Sequence, residues 1–176
     1  MHGPCRPFAS GFPRLTEMSY LPDDGESSAV FRPLAEVPGL VRPTSSVQFV
    51  APGSVTDGRY GLFRWEMQPN AGGPAAHFHR TFSESFYVLD GTVRLYDGRR
   101  WLEASAGDFL HVPEGGIHAF GNESDEPASM LILFAPGAPR EEYFRGLADL
   151  ADSGRELSPE ERAAFLASHD QYMVES

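Results

Sequence analysis

Short apolar runs broken by turn-forming residues occupy the chain from about residue 29 to residue 136. They are rich in Val, Phe, Tyr, Leu and Trp, and their short length suits strands better than helices. Closely spaced short strands of this kind predict an all-β sandwich or barrel, here of roughly nine or ten strands. The clearest runs are Val47–Ala51, Arg59–Met67, Ser85–Leu89, Thr92–Tyr96, Arg100–Ala104, Asp108–Val112, Ile117–Phe120 and Ala128–Ala135.

Two segments give the strongest strand signals. Asp90–Gly91 separates Ser85–Leu89 from Thr92–Tyr96, and Asp-Gly between two apolar runs is the strongest short-range signal for a β-hairpin. Ala128–Ala135 is mostly apolar, which predicts a strand buried in the core.

The end of the chain changes to a helical pattern. Apolar residues recur at helical spacing within residues 140–151. A second helix is expected to begin after Ser158, because Ser is a preferred N-cap, Pro159 suits the first helical position and Glu161 completes a capping box. Both helices are expected to pack outside the barrel, as structural braces or as dimer contacts.

These patterns divide the chain into three segments. Residues 1–28 form an irregular N-terminal arm, in which Pro, Gly, Ser and Asp dominate and Met18 is an alternative start. Residues 29–139 form a β-barrel domain, and residues 140–176 form a helical extension.

Composition narrows the range of functions. A chain of 176 residues with 41% apolar content is expected to form one globular domain. The formal net charge is −11 and the basic residues are scattered, which argues against nucleic acid and against an anionic membrane surface as partners. The remaining expectation is a soluble protein that takes a small-molecule substrate.

The cysteine content indicates a compartment. Cys5 is the one cysteine of the sequence, so no internal disulfide can form, and this fits a reducing cytoplasm. No segment approaches the ~20 apolar residues of a membrane span, and the N-terminus lacks the apolar stretch of a secretory signal.

The candidate chemistry begins with three residues in one short stretch. His77 and His79 are two positions apart, so on a strand they point to the same side and can bind one ion together. Glu84 follows a turn and would reach the site from the next strand. Two histidines and a carboxylate with open positions are the arrangement of non-haem iron oxygenases. His118, in a later hairpin, could provide a fourth ligand.

A motif resemblance joins these residues. Four residues separate His79 from Glu84, and six separate Glu84 from Gly91. His77, His79, Glu84 and Gly91 together resemble the first sequence motif of the cupin superfamily. The first glycine of that motif would fall at Ala71, where this chain instead offers the glycines that follow directly.

The second cupin motif begins at Gly107, and the chain matches this motif without a gap. Fifteen residues separate Gly107 from Gly91. That short spacing resembles single-domain microbial cupins, including quercetin dioxygenase-like proteins. The residues that match the second motif are Gly107, Pro113, Gly115, His118 and Asn122.

The resemblance implies a fold and a site. The fold would be the conical jelly-roll β-barrel of cupins, also described as a double-stranded β-helix. His77, His79, Glu84 and His118 would hold one divalent metal ion inside it, with Fe, Mn, Ni, Co, Zn or Cu as candidates. Glu84 would also be the catalytic base if it can swing off the metal. A homodimer is expected by analogy with the superfamily.

Aromatic residues near the motifs suggest a substrate pocket beside the metal. For any one of them, core packing is the simpler interpretation, but together they allow a flat apolar pocket. His111 is a candidate polar contact on the second-motif strand. The predicted pocket residues are Phe63, Trp65, Phe86, His111 and Phe120.

Three functions fit this sequence, since a fold does not fix an activity. The first is a metal-dependent dioxygenase acting on a small aromatic or enolisable substrate. The second is a redox-neutral cyclase or isomerase of a polyketide-like substrate, in which the metal acts as a Lewis acid. The third is a protein that binds a small molecule without turning it over. The first is the favoured hypothesis.

Overall fold

The structure is a computed structural model that describes Gly25 and residues 28–174. Nearly all of the predicted N-terminal arm, including Met18 and Cys5, therefore lies outside the described residues. From residue 32 onwards, the described residues form one compact unit. The strands in the described part are β1 (Gly39–Val41), β2 (Ser45–Ala51), β3 (Gly61–Met67), β4 (His77–Phe78), β5 (Ser83–Asp90), β6 (Thr92–Tyr96), β7 (Trp101–Ser105), β8 (Phe109–Val112), β9 (Ala119–Gly121), β10 (Ala128–Ala135) and β11 (Tyr172–Met173).

The strands form antiparallel sheets that build a jelly-roll barrel. The largest sheet has six strands in the order β1-β2-β3-β10-β5-β8, and a three-stranded sheet has the order β7-β6-β9. β11 pairs with β4 in a separate two-stranded sheet. The predicted all-β class is confirmed, and the strand that carries His77 has its partner in the C-terminal tail.

Local signals placed several strands accurately. β6 and β10 have the predicted limits, and the Asp90–Gly91 hairpin is present, with Gly91 at a φ of 71°. That left-handed conformation suits glycine, which has no Cβ to clash. β3 begins at Gly61, two residues later than predicted, because Arg59 still belongs to the preceding turn, where its N–H donates to Thr56 O at 3.1 Å.

Two helices follow the barrel, α1 (Arg140–Ser153) and α2 (Pro159–Ser168). The capping box of α2 is present as predicted: the Glu161 N–H donates to Ser158 Oγ at 3.2 Å, and the Ser158 N–H donates to Glu161 Oε2 at 3.0 Å. Neither helix of the described chain is long and apolar enough to cross a membrane.

An aromatic cluster joins α1 to the barrel. Phe63, on β3, lies with its ring centroid 5.7 Å from that of Phe49 on β2 and 5.5 Å from that of Phe134 on β10. Phe144, on α1, completes the cluster at 5.4 Å from Phe63. All four side chains are buried, so α1 is held against the barrel through this shared apolar surface.

The segment before β4 passes very close to β9. A Cβ added at Gly73 would lie 1.8 Å from the backbone oxygen of Phe120, whereas one added at Gly72 would meet nothing within 4 Å. Ala71, at the position of the expected motif glycine, is buried and hydrogen-bonded through its oxygen to the Asn122 N–H at 2.8 Å. The close approach therefore requires the glycine at position 73.

We expect Gly73→Ala to lower the free energy of unfolding by about 1–3 kcal/mol, because the added methyl group meets backbone that cannot rotate away. Chemical denaturation measures this change. Gly72→Ala is the matched control and should leave stability nearly unchanged. Equal midpoints for both variants and the wild type would contradict the close contact.

Candidate metal centre

Four predicted ligands lie together inside the barrel. His77 lies on β4, His79 one residue beyond it, Glu84 on β5, and His118 directly before β9. Each side chain is at most 4% exposed. One nitrogen or oxygen of each residue lies within 4.8 Å of the corresponding atoms of the other three. The structure thus brings together the set that the sequence predicted.

The backbone fixes this convergence. The His77 N–H donates to His118 O at 3.0 Å and the His118 N–H donates to His77 O at 2.9 Å, so these residues face each other as a bridge. The Gly115 N–H donates to His79 O at 2.7 Å, and Gly115 has a φ of 78°. The turn before His118 is thereby tied to the first histidine segment.

Backbone carbonyl groups orient all three imidazoles. His77 Nδ1 lies 2.8 Å from Ala75 O, His79 Nδ1 lies 2.6 Å from Asp170 O, and His118 Nδ1 lies 3.0 Å from Gly116 O. A carbonyl oxygen only accepts, so each Nδ1 carries a proton and donates it. In the neutral imidazole the Nε2 lone pair is then free to bind a metal.

The centre of the cluster fits a cation. Glu84 Oε2 lies 3.0 Å from His79 Nε2 and 2.9 Å from His118 Nε2. With Nδ1 protonated, these Nε2 atoms are lone-pair donors that face an oxygen of the same character. A divalent cation between them would satisfy both partners. Three nitrogens and one oxygen, without sulfur, suit Fe, Mn, Ni, Co, Zn or Cu.

Hydrogen bonds from these Nε2 atoms to Glu84 require rings that carry a proton on Nε2 as well, so the pKa directions describe the cluster when protons rather than a cation fill its centre. Burial, together with repulsion from His118, lowers the pKa of His77 to about 3, so this ring is neutral and ready to bind a metal at neutral pH. Burial alone would raise the pKa of Glu84, but hydrogen bonds with His118 and His79 outweigh it and hold that pKa well below its usual range. The pKa of His118 is raised, because contact with Glu84 outweighs its burial.

Asn122, the last residue that matches the second motif, has a structural role. Its Nδ2 donates to Gln68 O at 3.0 Å and to Glu126 O at 2.7 Å, and its Oδ1 accepts from the Ser124 N–H at 3.0 Å. The side chain is fully buried and holds a loop. It therefore stabilises a turn and is not one of the four clustered residues.

A cavity of about 760 Å³ opens beside the four residues and includes His77 and Glu84 in its lining. Two of the predicted pocket residues, Trp65 and Phe120, also line it. The predicted Phe63 and Phe86 are fully buried in the core instead. Their rings pack among other side chains, as the simpler interpretation had it.

His111 lies away from the cavity. Alternation along β8 buries Val112 and leaves His111 on the outer face, where Nδ1 lies 3.0 Å from Ser85 Oγ. The pocket role considered for this residue from sequence therefore does not match its position, because the strand presents it to solvent.

The C-terminal tail provides most of the site contacts that the sequence pattern did not predict. Both helices were expected outside the barrel as braces or as dimer contacts, yet the cavity is lined by Arg140 and Tyr143 of α1 and by Phe165 of α2. Asp170, after α2, contacts the ligand segment: its backbone oxygen accepts from His79, and its carboxylate accepts from the N–H groups of Arg80 and Thr81. These are contacts between segments about ninety residues apart, which periodicity does not reveal.

Comparisons with known proteins concern the barrel that carries these residues. Residues 63–134 match a family model described as a cupin domain. Quercetin 2,3-dioxygenase from Bacillus subtilis (strain 168) is 29% identical over 136 residues, a match that covers 77% of this chain. The match covers 39% of the dioxygenase, so this chain spans about two fifths of that relative's length.

Solved structures show the same fold. The polyketide cyclase RemF from Streptomyces resistomycificus superposes with a TM-score of 0.53 at 22% identity, covering 61% of this chain and 80% of that chain. A predicted oxalate decarboxylase from Thermotoga maritima gives a TM-score of 0.55 at 15% identity, covering 61% of this chain and 99% of that chain. At these identities the similarity concerns the fold.

Proposed function

Because residues 63–134 form a cupin domain, we propose that this protein is a metal-dependent dioxygenase acting on a small aromatic or enolisable substrate. The observation that carries the proposal is the convergence of three imidazoles and one carboxylate within 4.8 Å, beside a cavity of about 760 Å³. The similarity to a quercetin 2,3-dioxygenase supports the choice of a redox reaction and of a flavonol-like substrate.

The four clustered residues would hold the metal through His77, His79 and His118 Nε2 and a Glu84 oxygen. A divalent metal ion bound there would supply Lewis acidity and, if redox-active, a route for electrons to O₂. The three imidazoles are neutral donors and Glu84 carries one negative charge, so the loaded site would keep a net positive charge. That charge favours an anionic substrate oxygen, such as a phenolate or an enolate.

Glu84 is the proposed base for the substrate hydroxyl. Its contacts with His79 and His118 lower its pKa, and for the same reason they make it a weak base while they last. Proton transfer to Glu84 therefore requires its carboxylate to leave the two imidazoles as the substrate enters. The apolar walls of the cavity, which include Trp65 and Phe120, exclude water and suit a flat ring system.

The test is elemental analysis of the protein purified without chelator or nickel resin, followed by oxygen uptake with a flavonol. A redox-active metal together with flavonol-dependent oxygen uptake is the expected result. Zinc, together with conversion of a poly-keto substrate without oxygen, would instead favour a redox-neutral cyclase or isomerase. Tight ligand binding without any product would favour a binding protein. Failure to take up any of the candidate metals would refute the metal centre itself.

A further inference from the structure

Arg140, the first residue of α1, is a buried cation in the wall of the cavity. Its side chain is 4% exposed, and it shares the lining with His77 and Glu84. A buried charge is costly unless a partner of opposite charge compensates it. The partners of this guanidinium therefore bear on what the cavity binds.

The guanidinium has only neutral hydrogen-bond partners. Its Nη1 donates to the backbone oxygen of His169 at 2.9 Å, and its Nη2 donates to Gln171 Oε1 at 3.1 Å. Its Nε, also buried, has no acceptor. Arg140 forms no ion pair within 4.0 Å with a carboxylate of residues 28–174. An oxygen anion that enters the cavity would supply the missing countercharge.

Helix stability does not explain this cation. The N-terminus of a helix carries the positive end of the macrodipole, which disfavours Arg at the first position. Arg140 lies over aromatic faces, at 4.0 Å from the ring centre of Tyr143 and 5.1 Å from that of Phe134. These contacts offset part of the desolvation cost. Glu84 and Asp170 attract the guanidinium only from beyond ion-pair distance, so Arg140 has no direct ion-pair partner among the described residues.

The cavity is more positive than the protein as a whole. The chain has a formal net charge of −11, yet three arginines line the cavity against two glutamates, Glu84 and Glu156. Arg155 is paired with Glu161 at 2.5 Å, and Arg162 lies on the exposed face of α2. A divalent metal held beside His77 and Glu84 would add two further positive charges to a lining in which Arg140 is the buried arginine.

We propose that Arg140 binds a carboxylate of the substrate while another oxygen of the same molecule faces the metal centre. The planar guanidinium fork matches a carboxylate better than any other side chain does. The substrate class is then an apolar, flat carboxylic acid with an enolic or phenolic oxygen. This inference rests on the proposed function in one respect, since it takes the cavity to be the substrate site.

Two probes test the inference by titration calorimetry on zinc-loaded protein without oxygen. 3-Hydroxy-2-naphthoate carries the carboxylate, and 2-naphthol lacks it. The wild type is expected to bind the acid more tightly by about 10- to 100-fold, as for a hydrogen bond between charged groups. Arg140→Met should remove most of that preference and leave 2-naphthol binding unchanged. Arg64→Met, which removes an arginine outside the cavity lining, should retain the full preference.

Two controls separate ligand binding from bracing, because Arg140 also contacts His169 and Gln171. Unchanged zinc content and unchanged 2-naphthol affinity show that the metal centre and the cavity survive the substitution. If Arg140→Met does not fold, Arg140→Gln takes its place. Its side chain ends in a neutral amide, and it is expected to lose the same preference for the acid.

Two results would overturn the inference. One is a wild type that binds both probes equally, and the other is a folded variant without Arg140 that keeps the preference for the acid. Neither result depends on turnover, because zinc supports no redox step here. A lack of oxygen uptake would therefore refute the dioxygenase proposal and leave the role of Arg140 standing.

Discussion

Replacing His79 with alanine is expected to abolish tight metal binding while most of the fold remains. The substitution removes one of the four donors that converge within 4.8 Å. Removing a residue that only supports a metal ligand typically weakens metal binding about 10- to 100-fold. Removing a ligand itself should therefore weaken metal binding by more than about 100-fold. Elemental analysis and zinc titration of the purified variant measure the effect.

The fold should survive this change for local reasons. His79 follows β4, and its backbone oxygen accepts from the Gly115 N–H at 2.7 Å, a contact that alanine keeps. The lost side-chain contacts are stacking on Phe82, with ring centroids 4.3 Å apart, and the hydrogen bond to Asp170 O. We expect a destabilisation of about 1–3 kcal/mol from such a loss.

His111→Ala is the matched control, because it removes an exposed imidazole that contacts Ser85 on the outer face of the barrel. Its metal content should equal that of the wild type. Full metal occupancy in His79→Ala would remove His79 from the ligand set. Equal losses in both variants would show that the metal sits elsewhere.

The proximity of His77, His79 and Glu84 was predictable from the sequence because their spacing is local. Strand alternation places His77 and His79 on one side without any tertiary information. The match to a second motif then identified His118. Likewise β10, a central strand whose residues are all buried or half-buried, was predicted with the limits that the structure shows.

The rest of the site depended on information that periodicity does not hold. On β8, for example, the sequence does not show which alternate residues face the core. Phe109 is 64% exposed and Val112 is buried, so the apolar Phe109 points outwards together with His111. The aromatic residue therefore gives no reliable signal for the inner face. Asp170 contacts His79, and Arg140 lies over the ring of Phe82, so both join the tail to the barrel across long sequence separations. The sequence did hold one signal for the role of Arg140. An arginine at the first position of a predicted helix opposes the helix macrodipole, so helix stability does not explain it.

Phe63→Ala is expected to cause the largest loss of stability, about 3–5 kcal/mol, because a fully buried ring is replaced by a void. Its neighbours are the rings of Phe49, Phe134 and Phe144, at 5.4–5.7 Å between centroids. These side chains come from two further strands and from α1, and their relative positions are fixed by the barrel. The surrounding structure should therefore collapse only in part.

Phe109→Ala is the matched control for Phe63→Ala, since the same atoms are removed from a side chain that is 64% exposed. Its effect should stay within about 0.5 kcal/mol. Denaturant unfolding of both variants, with Phe63→Leu as a milder substitution if Phe63→Ala does not fold, measures the difference. Phe144 lies on α1, the helix that begins at Arg140. Because Phe63→Ala removes a packing partner of Phe144, it should also expose α1 to proteolysis at denaturant concentrations lower than those that unfold the whole protein. Equal stability of Phe63→Ala and Phe109→Ala would show that this aromatic cluster does not hold the helix on the barrel.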